Sequence, residues 1–201
     1  MATIITLDKD KIAETDLSHL NQYVEWHKDN FQYFNLGPGQ EHYKLLAYLS
    51  KTLNCKKLVE LGTYIGQGTV ALSYDESKEV HSYDIYSWFP DDGSITAENR
   101  ENIQLHVCDY IDNMAEIIKD CSLVFLDIDH TGVTERIIMD ALRKAGYKGL
   151  VLIDDTKLND DMKSFYAEIP EKKMDISDIG HWSGSGLVIM DPNMFEIVLD
   201  S

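Results

Sequence analysis

Between residues 57 and 154, short runs of consecutive apolar residues alternate with stretches in which apolar positions recur every three or four residues. The first pattern reads as a strand buried on both faces, the second as a helix covering one of them. Strands are expected at 57–61 (KLVEL), 79–84 (EVHSYD), 103–107 (IQLHV), 122–127 (SLVFLD) and 149–154 (GLVLID). Helices are expected near 67–75, 94–101, 110–119, 132–146 and 157–168. Two later runs, 172–177 and 186–191 (GLVIMD), have only a short connection between them and predict an antiparallel hairpin at one sheet edge. Ahead of this region, 39–54 reads as a helix with Tyr43, Leu45, Leu46, Tyr48 and Leu49 on its apolar face. Residues 9–30 read as one or two amphipathic helices leading to the turn Asn35-Leu36-Gly37-Pro38-Gly39. The expected class is α/β, a doubly wound, mostly parallel seven-stranded sheet. Residues 1–38 form an N-terminal helical cap, and residues 39–201 the main domain.

Charge narrows the partners. The chain of 201 residues carries 18 basic and 35 acidic side chains, a formal net charge of -17, with the acids spread along its length. No basic patch is present to attract a phosphate backbone or an anionic bilayer, so neither nucleic acid nor membrane is expected as a partner. Lys172-Lys173, flanked by Glu171, reads as a solvated turn. The three cysteines, Cys55, Cys108 and Cys121, have no close-spaced pair and suggest neither a disulfide framework nor a zinc site. The first twenty residues are interrupted by charges throughout and hold no signal-peptide core, so a cytoplasmic location is expected. A homodimer is compatible with this composition.

Five strands end in or just before an acid: Glu60, Asp84, Asp109, Asp127 and Asp154. In a doubly wound sheet these ends share one edge, where ligands bind. The stretch VELGTYIGQGT, 59–69, places Gly62, Gly66 and Gly68 between a strand and a helix, which lets a ligand approach the backbone and the helix N-terminus. Asp84 follows Glu60 by 24 residues, the position from which an acid accepts hydrogen bonds from ribose hydroxyls. The glycine order, Gly-x-x-x-Gly-x-Gly, departs from the Gly-x-Gly-x-x-Gly of nicotinamide enzymes. It resembles the first motif of the class I S-adenosylmethionine-dependent methyltransferases, whose domain is a Rossmann-like fold. That resemblance implies a methyltransferase domain over 39–201. The Gly62–Gly68 loop with Tyr64 would face the methionine part, Asp84 the ribose and the Cys108-Asp109-Tyr110 turn the adenine. Asn35 precedes the segment that family members place over the methionine end, and Glu60 and Asp127 flank the same site.

The run LVFLDIDHT, 123–131, followed one βα unit later by LVLIDD, 150–155, admits two readings. Asp-x-Asp-x-Thr resembles the nucleophile motif of haloacid-dehalogenase-type phosphatases. That reading leaves the glycine loop unused and has no room for a phosphate-binding lysine between Asp127 and Asp154. Alternatively, Asp127 and Asp154 end neighbouring parallel strands with Asp155 alongside, and three adjacent carboxylates call for a cation. Oxygen donors alone point to magnesium, or to manganese or calcium. This pairing resembles the divalent-cation-dependent O-methyltransferases, among them catechol, caffeoyl-coenzyme A, macrolide and aminocoumarin sugar methyltransferases. The resemblance implies that Asp127, Asp154 and Asp155 hold the metal and that the acceptor binds through two adjacent oxygens. The catechol and caffeoyl members usually carry Lys at the position of His130 and Asn at that of Asp155, so a sugar or other vicinal diol is expected ahead of a catechol. His130 is the expected general base and Asp129 the second candidate, because imidazole suits proton removal near neutrality. A helix cap is the structural alternative for both. His181, in GHWSGSG, reads either as lining the acceptor pocket or as part of a plain turn. His42, His81 and His106 read as satisfied structural residues. A catalytically inactive binding subunit of the same fold is the rival from another class.

Overall fold

The computed structural model describes residues 2–200. In chain order its elements are β1 (Thr3–Asp8), α1 (Lys9–Ala13), α2 (Lys28–Phe31), α3 (Tyr43–Thr52), β2 (Lys57–Leu61), α4 (Gln67–Leu72), β3 (Glu79–Asp84), β4 (Ile103–Val107) and α5 (Met114–Ile117). These are followed by β5 (Cys121–Leu126), α6 (Val133–Lys144), β6 (Leu150–Asp154), α7 (Asp160–Glu168), β7 (Lys172–Asp175), β8 (Ser185–Ile189) and β9 (Phe195–Asp200). Seven strands form one sheet in the order β4-β3-β2-β5-β6-β8-β7. All its pairs are parallel except those of β8, which runs antiparallel to both β6 and β7. The doubly wound sheet with an antiparallel hairpin is therefore present, and the later hairpin strand lies inside the earlier one.

Period-two geometry divides the continuous apolar strands between two cores. Leu123 and Phe125 of β5, with Leu150 and Leu152 of β6, face a cluster that includes Leu45, Leu46 and Leu49 of α3 and the N-terminal residues Ile12, Leu17, Leu20 and Val24. Val124, Leu126, Val151 and Ile153 face the other way, onto Ile138, Met139 and Leu142 of α6 and Met162 and Phe165 of α7. Both faces are covered, as a parallel sheet requires.

Three expectations change. Residues 9–30 hold only α1, a 3-10 turn over Ser18–Tyr23 and α2, because pieces this short are held by burying Ile12, Leu20 and Val24 rather than by their own hydrogen bonds. The helices expected at 94–101 and 110–119 contract to 3-10 turns at Ala97–Asn99 and Ile111–Asn113, the second running into α5. At the first, the Asn99 side chain accepts from Thr96 N–H at 2.7 Å, and Asn102 donates to the carbonyls of Ser73 and Lys78, so side chains compete for backbone partners. The third change is an addition: β1 and β9 pair in parallel as a separate two-stranded ribbon that joins the two ends of the chain. Among the described residues no helix is long and apolar enough to cross a membrane.

Strand order reverses at β2, which lies between β3 and β5. Such a switch point opens a crevice at the carboxyl ends of the strands. Gly62 leaves β2 and Asp127 leaves β5 on either side of it.

Candidate active site

Gly62 has φ +101°, and a methyl group there would overlap the carbonyl oxygen of Asp127, so only glycine lets the two strand ends pass this closely. The loop beyond it is fastened by one acid. Asp84 Oδ2 accepts from the backbone N–H of Thr63 and of Tyr64, each at 3.0 Å, and from the Trp88 indole at 3.2 Å. Its Oδ1 accepts from Tyr86 N–H at 3.0 Å. Tyr64 sits at φ +43°, and its ring meets Trp88 edge-on at 5.2 Å between centroids.

Glu60 lies beneath the loop and is 1% exposed. Its carboxyl accepts from Ser82 Oγ at 2.5 Å and, in a shorter contact, from Thr69 Oγ1. Burial pushes its pKa up to about 8, with the two hydroxyls acting against the rise. A side chain at Gly68 would run into the Glu60 carboxyl, which explains the second close glycine. Glu60 thus ties α4 and β3 to β2 from below.

A cavity of about 510 Å³ opens above the switch point, a size suited to a small organic ligand. Gly62, Tyr64, Asp84 and Trp88 form one wall, and Asp109, Tyr110, Asp127, Asp129 and His130 another. Of the residues singled out from the sequence, Asn35, Glu60, Gly66, Gly68, Asp154 and Asp155 stay off its walls. Asn35 is exposed and donates to the Asn21 side chain at 2.8 Å. Gly66 caps the start of α4 in the left-handed region. Asp129 reaches the cavity, but its oxygens accept from Thr131 Oγ1 at 3.0 Å and Thr134 Oγ1 at 2.7 Å, bracing the approach to α6.

β5 and β6 are paired neighbours with Leu126 opposite Ile153, so Asp127 and Asp154 emerge side by side. His130, at φ +53°, turns its Nε2 back to within 3.5 Å of Asp127 Oδ1 and 3.4 Å of Asp155 Oδ2. Asp155, at φ +57°, also lies in the left-handed region. Three of the four non-glycine residues with positive φ among the described residues, Tyr64, His130 and Asp155, thus follow strands at this edge. Backbone strain gathers here and not along the helices.

Two more imidazoles enter the acidic cluster. Because β8 is antiparallel, the loop before it shares an edge with the carboxyl ends of the parallel strands, and Ser185 is paired with Asp154. That loop brings His181 Nδ1 to 3.2 Å from both Asp154 Oδ2 and Asp155 Oδ1, while Ser183 Oγ donates to Asp155 in a short contact. The turn at 37–39 docks on the same loop, Gly39 N–H donating to the Gly180 carbonyl at 2.9 Å. This sets His42, at the start of α3, against Phe125 and places its Nδ1 3.3 Å from Asp154 Oδ1. His42 is 3% exposed, and among the described residues neither its two ring nitrogens nor Asp154 Oδ1 has a hydrogen-bond partner.

The electrostatics follow from this crowding. Burial and the adjacent Asp154 push Asp127 well above the usual carboxylate range. Burial works the same way on Asp154, but His42 and His181 hold it below that range. Burial opposes protonation of His181, yet its bonds to Asp154 and Asp155 and the charge of Glu41 raise it to about 10. His42 is likewise disfavoured by burial and raised by Asp154 and Asp127. Three groups of imidazole and carboxylate donors each gather within 4.8 Å: Glu41, His42 and His181; His42, Asp127 and Asp154; and Asp154, Asp155 and His181. The sequence reads His42, like His81 and His106, as a satisfied structural residue, whereas the structure sets it in the acidic cluster. His81 and His106 do satisfy each other, stacked with ring nitrogens 3.1 Å apart.

No protein-family model matches the chain, and no curated protein matches its sequence. Solved structures do match in shape. A methyltransferase from Podospora anserina with SAH bound aligns at a TM-score of 0.61 and 13% identity, over 87% of this chain and 88% of the other. The O-methyltransferase from Bacillus cereus, in complex with SAH, aligns at 0.54 and 12% identity, over 90% and 96%. A methyltransferase from Geobacter sulfurreducens aligns at 0.53 and 14% identity, over 81% and 86%. In shape, the chain has the Rossmann-like fold of the class I S-adenosylmethionine-dependent methyltransferases.

Proposed function

We propose that this protein is a divalent-cation-dependent O-methyltransferase that moves a methyl group from S-adenosylmethionine to a hydroxyl of a small vicinal diol, with a sugar as the favoured acceptor. One observation carries the reading: the Asp84-fastened glycine loop and the Asp127 end of the acidic cluster line the same cavity. The residues suit the methyl donor. The bare backbone at Gly62 gives the methionine end close approach, Asp84 Oδ1 retains a lone pair for a ribose hydroxyl, and Tyr110 and Ile111 supply an apolar wall for the adenine.

The donor set also suits a cation. Buried acceptors without partners are costly, and a cation among Asp127, Asp154 and Asp155 relieves both the orphaned Asp154 oxygen and the mutual repulsion of the carboxylates. When bound, such an ion lowers the pKa of an acceptor hydroxyl and fixes two adjacent oxygens. Asp127 is the most open of the three acids, its side chain 31% exposed, and faces the acceptor side. His130 takes the hydroxyl proton on Nε2, and Asp129, which braces the turn carrying His130, is the second candidate base. The oxygen forms its bond to the methyl carbon as the carbon–sulfur bond breaks, leaving S-adenosylhomocysteine and a methyl ether. Alignment of the two reactants and exclusion of water supply most of the rate.

Residues 1–38 serve as a cap on the acceptor side. Support comes from Gln67, which accepts from Tyr43 Oη at 2.9 Å and donates to the Asn30 carbonyl at 3.0 Å, linking that segment to the glycine loop. Trp182, 70% exposed beside His181, offers a flat face at the rim of the acidic cluster. Isothermal titration of S-adenosylmethionine, with and without a divalent ion, tests the reading. Expected are binding by the wild type, a marked loss in Asp84→Ala and retention in Asp127→Ala, followed by cation-dependent methylation of diols. Wild-type protein that binds no S-adenosylmethionine would overturn it, and binding without transfer to any acceptor would favour an inactive binding subunit.

A further inference from the structure

We infer that His42 is a nitrogen ligand of the cation centre, so that the site selects a transition-metal ion such as manganese, iron, cobalt or zinc over magnesium or calcium. The inference deepens the cation half of the proposed function and rests on it. His42 is buried to within 3% of full occlusion, it lies where a buried acid has also lost its partner, and its Nδ1 points at that acid at 3.3 Å without hydrogen-bond geometry. Two atoms each about 2.1 Å from one ion stand roughly 3.0 to 3.4 Å apart at tetrahedral or octahedral angles, so the spacing is that of two ligands of a common ion. Asp127 supplies the third donor within 4.8 Å and the exposed side of the set, leaving room for an acceptor oxygen.

His181 has a different part. Its Nδ1 is already engaged with Asp154, Asp155 and Ser183, the last at 2.8 Å, which makes it a positioning residue that orients the two acids from behind. An imidazole in the first coordination sphere disfavours hard ions, which prefer oxygen donors throughout, and favours the later divalent metals.

The test is pulsed electron paramagnetic resonance on full-length protein loaded with manganese(II), prepared with natural and with 15N-imidazole histidine. A directly coordinated imidazole nitrogen is expected in the wild type and in the His130→Gln/His181→Gln double variant, and its loss is expected in His42→Gln. Calorimetry on the same samples should show cobalt(II) affinity falling roughly tenfold to a hundredfold in His42→Gln, with magnesium affinity little changed. The double variant keeps the test decisive even if His42→Gln does not fold, because it leaves His42 as the only histidine at the cluster. Manganese bound without nitrogen coupling in the wild type would overturn the assignment of His42 while leaving a cation-dependent methyltransferase intact. No binding of manganese, cobalt or magnesium would overturn the cation centre itself, and titration of S-adenosylmethionine on that sample reads the methyltransferase fold's cofactor site separately.

Discussion

The two walls of the crevice handle buried acids in opposite ways. On the β2–β3 side every acid has a fixed partner: Asp84 accepts three backbone or indole N–H groups at 3.0 to 3.2 Å on one oxygen, and Glu60 accepts two buried hydroxyls. On the β5–β6–β8 side, acids meet imidazoles at 3.2 to 3.5 Å, and a carboxylate oxygen and a whole histidine ring remain without hydrogen bonds. The first arrangement is a scaffold that holds one shape. The second leaves buried polar atoms without partners, and it is on these that the proposed cation site rests.

The contrast can be broken at several points. The largest effect is expected from Gly62→Ala, which forces a methyl group into the Asp127 carbonyl at a left-handed φ. It should abolish soluble folded protein or remove at least about 4 kcal/mol, read by urea unfolding. A wild-type-like transition would mean the walls are not in contact. Asp154→Asn should follow, costing roughly 3 to 5 kcal/mol because His42 and His181 lose their buried counter-charge. If saturating divalent ion gives the wild type, and not this variant, a higher melting temperature, the same acid serves both folding and the cation.

Glu60 gives the pH test. Its folded pKa, about 8, lies above its ordinary value of 4.5, so the fold holds the protonated form. The stability this confers is complete below about pH 4.5 and declines as pH rises, because the unfolded chain ionises first. The decline ends once pH passes the folded value. Glu60→Gln keeps the hydroxyl contacts and should flatten that decline, gaining roughly 1 to 3 kcal/mol over the wild type above pH 8. An unchanged pH profile would show Glu60 to be ionised in the fold.

Asp84→Asn should cost about 1 to 2 kcal/mol by weakening charge-assisted bonds to the loop, and should lower S-adenosylmethionine affinity roughly tenfold in calorimetry. The smallest effect belongs to Asn35→Ala. Exposed and bonded only to Asn21, it should change neither the melting temperature nor S-adenosylmethionine affinity measurably, and a clear loss of affinity would place it over the methionine end after all.

The sequence by itself determined the strands of the parallel sheet and the scaffold wall of the crevice. A strand buried on both faces leaves a continuous apolar run, a turn with φ above zero leaves a glycine, and an acid one βα unit on leaves a carboxylate at a strand end. Each is a local constraint written within about thirty residues. The β1–β9 ribbon left no such mark, since only Ile5, Leu7 and Ile197 of its residues are buried, and its pairing joins positions more than 180 residues apart. The imidazoles were hidden for the same reason. His42 stands where a helix starts and His181 in a loop, and neither context distinguishes a structural histidine from a ligand. Only the antiparallel insertion of β8 and the docking of the 37–39 turn on the loop before it set both rings against Asp154. Long-range juxtaposition of this kind is decided by how the layers pack, a property of the folded chain that no window of the sequence contains.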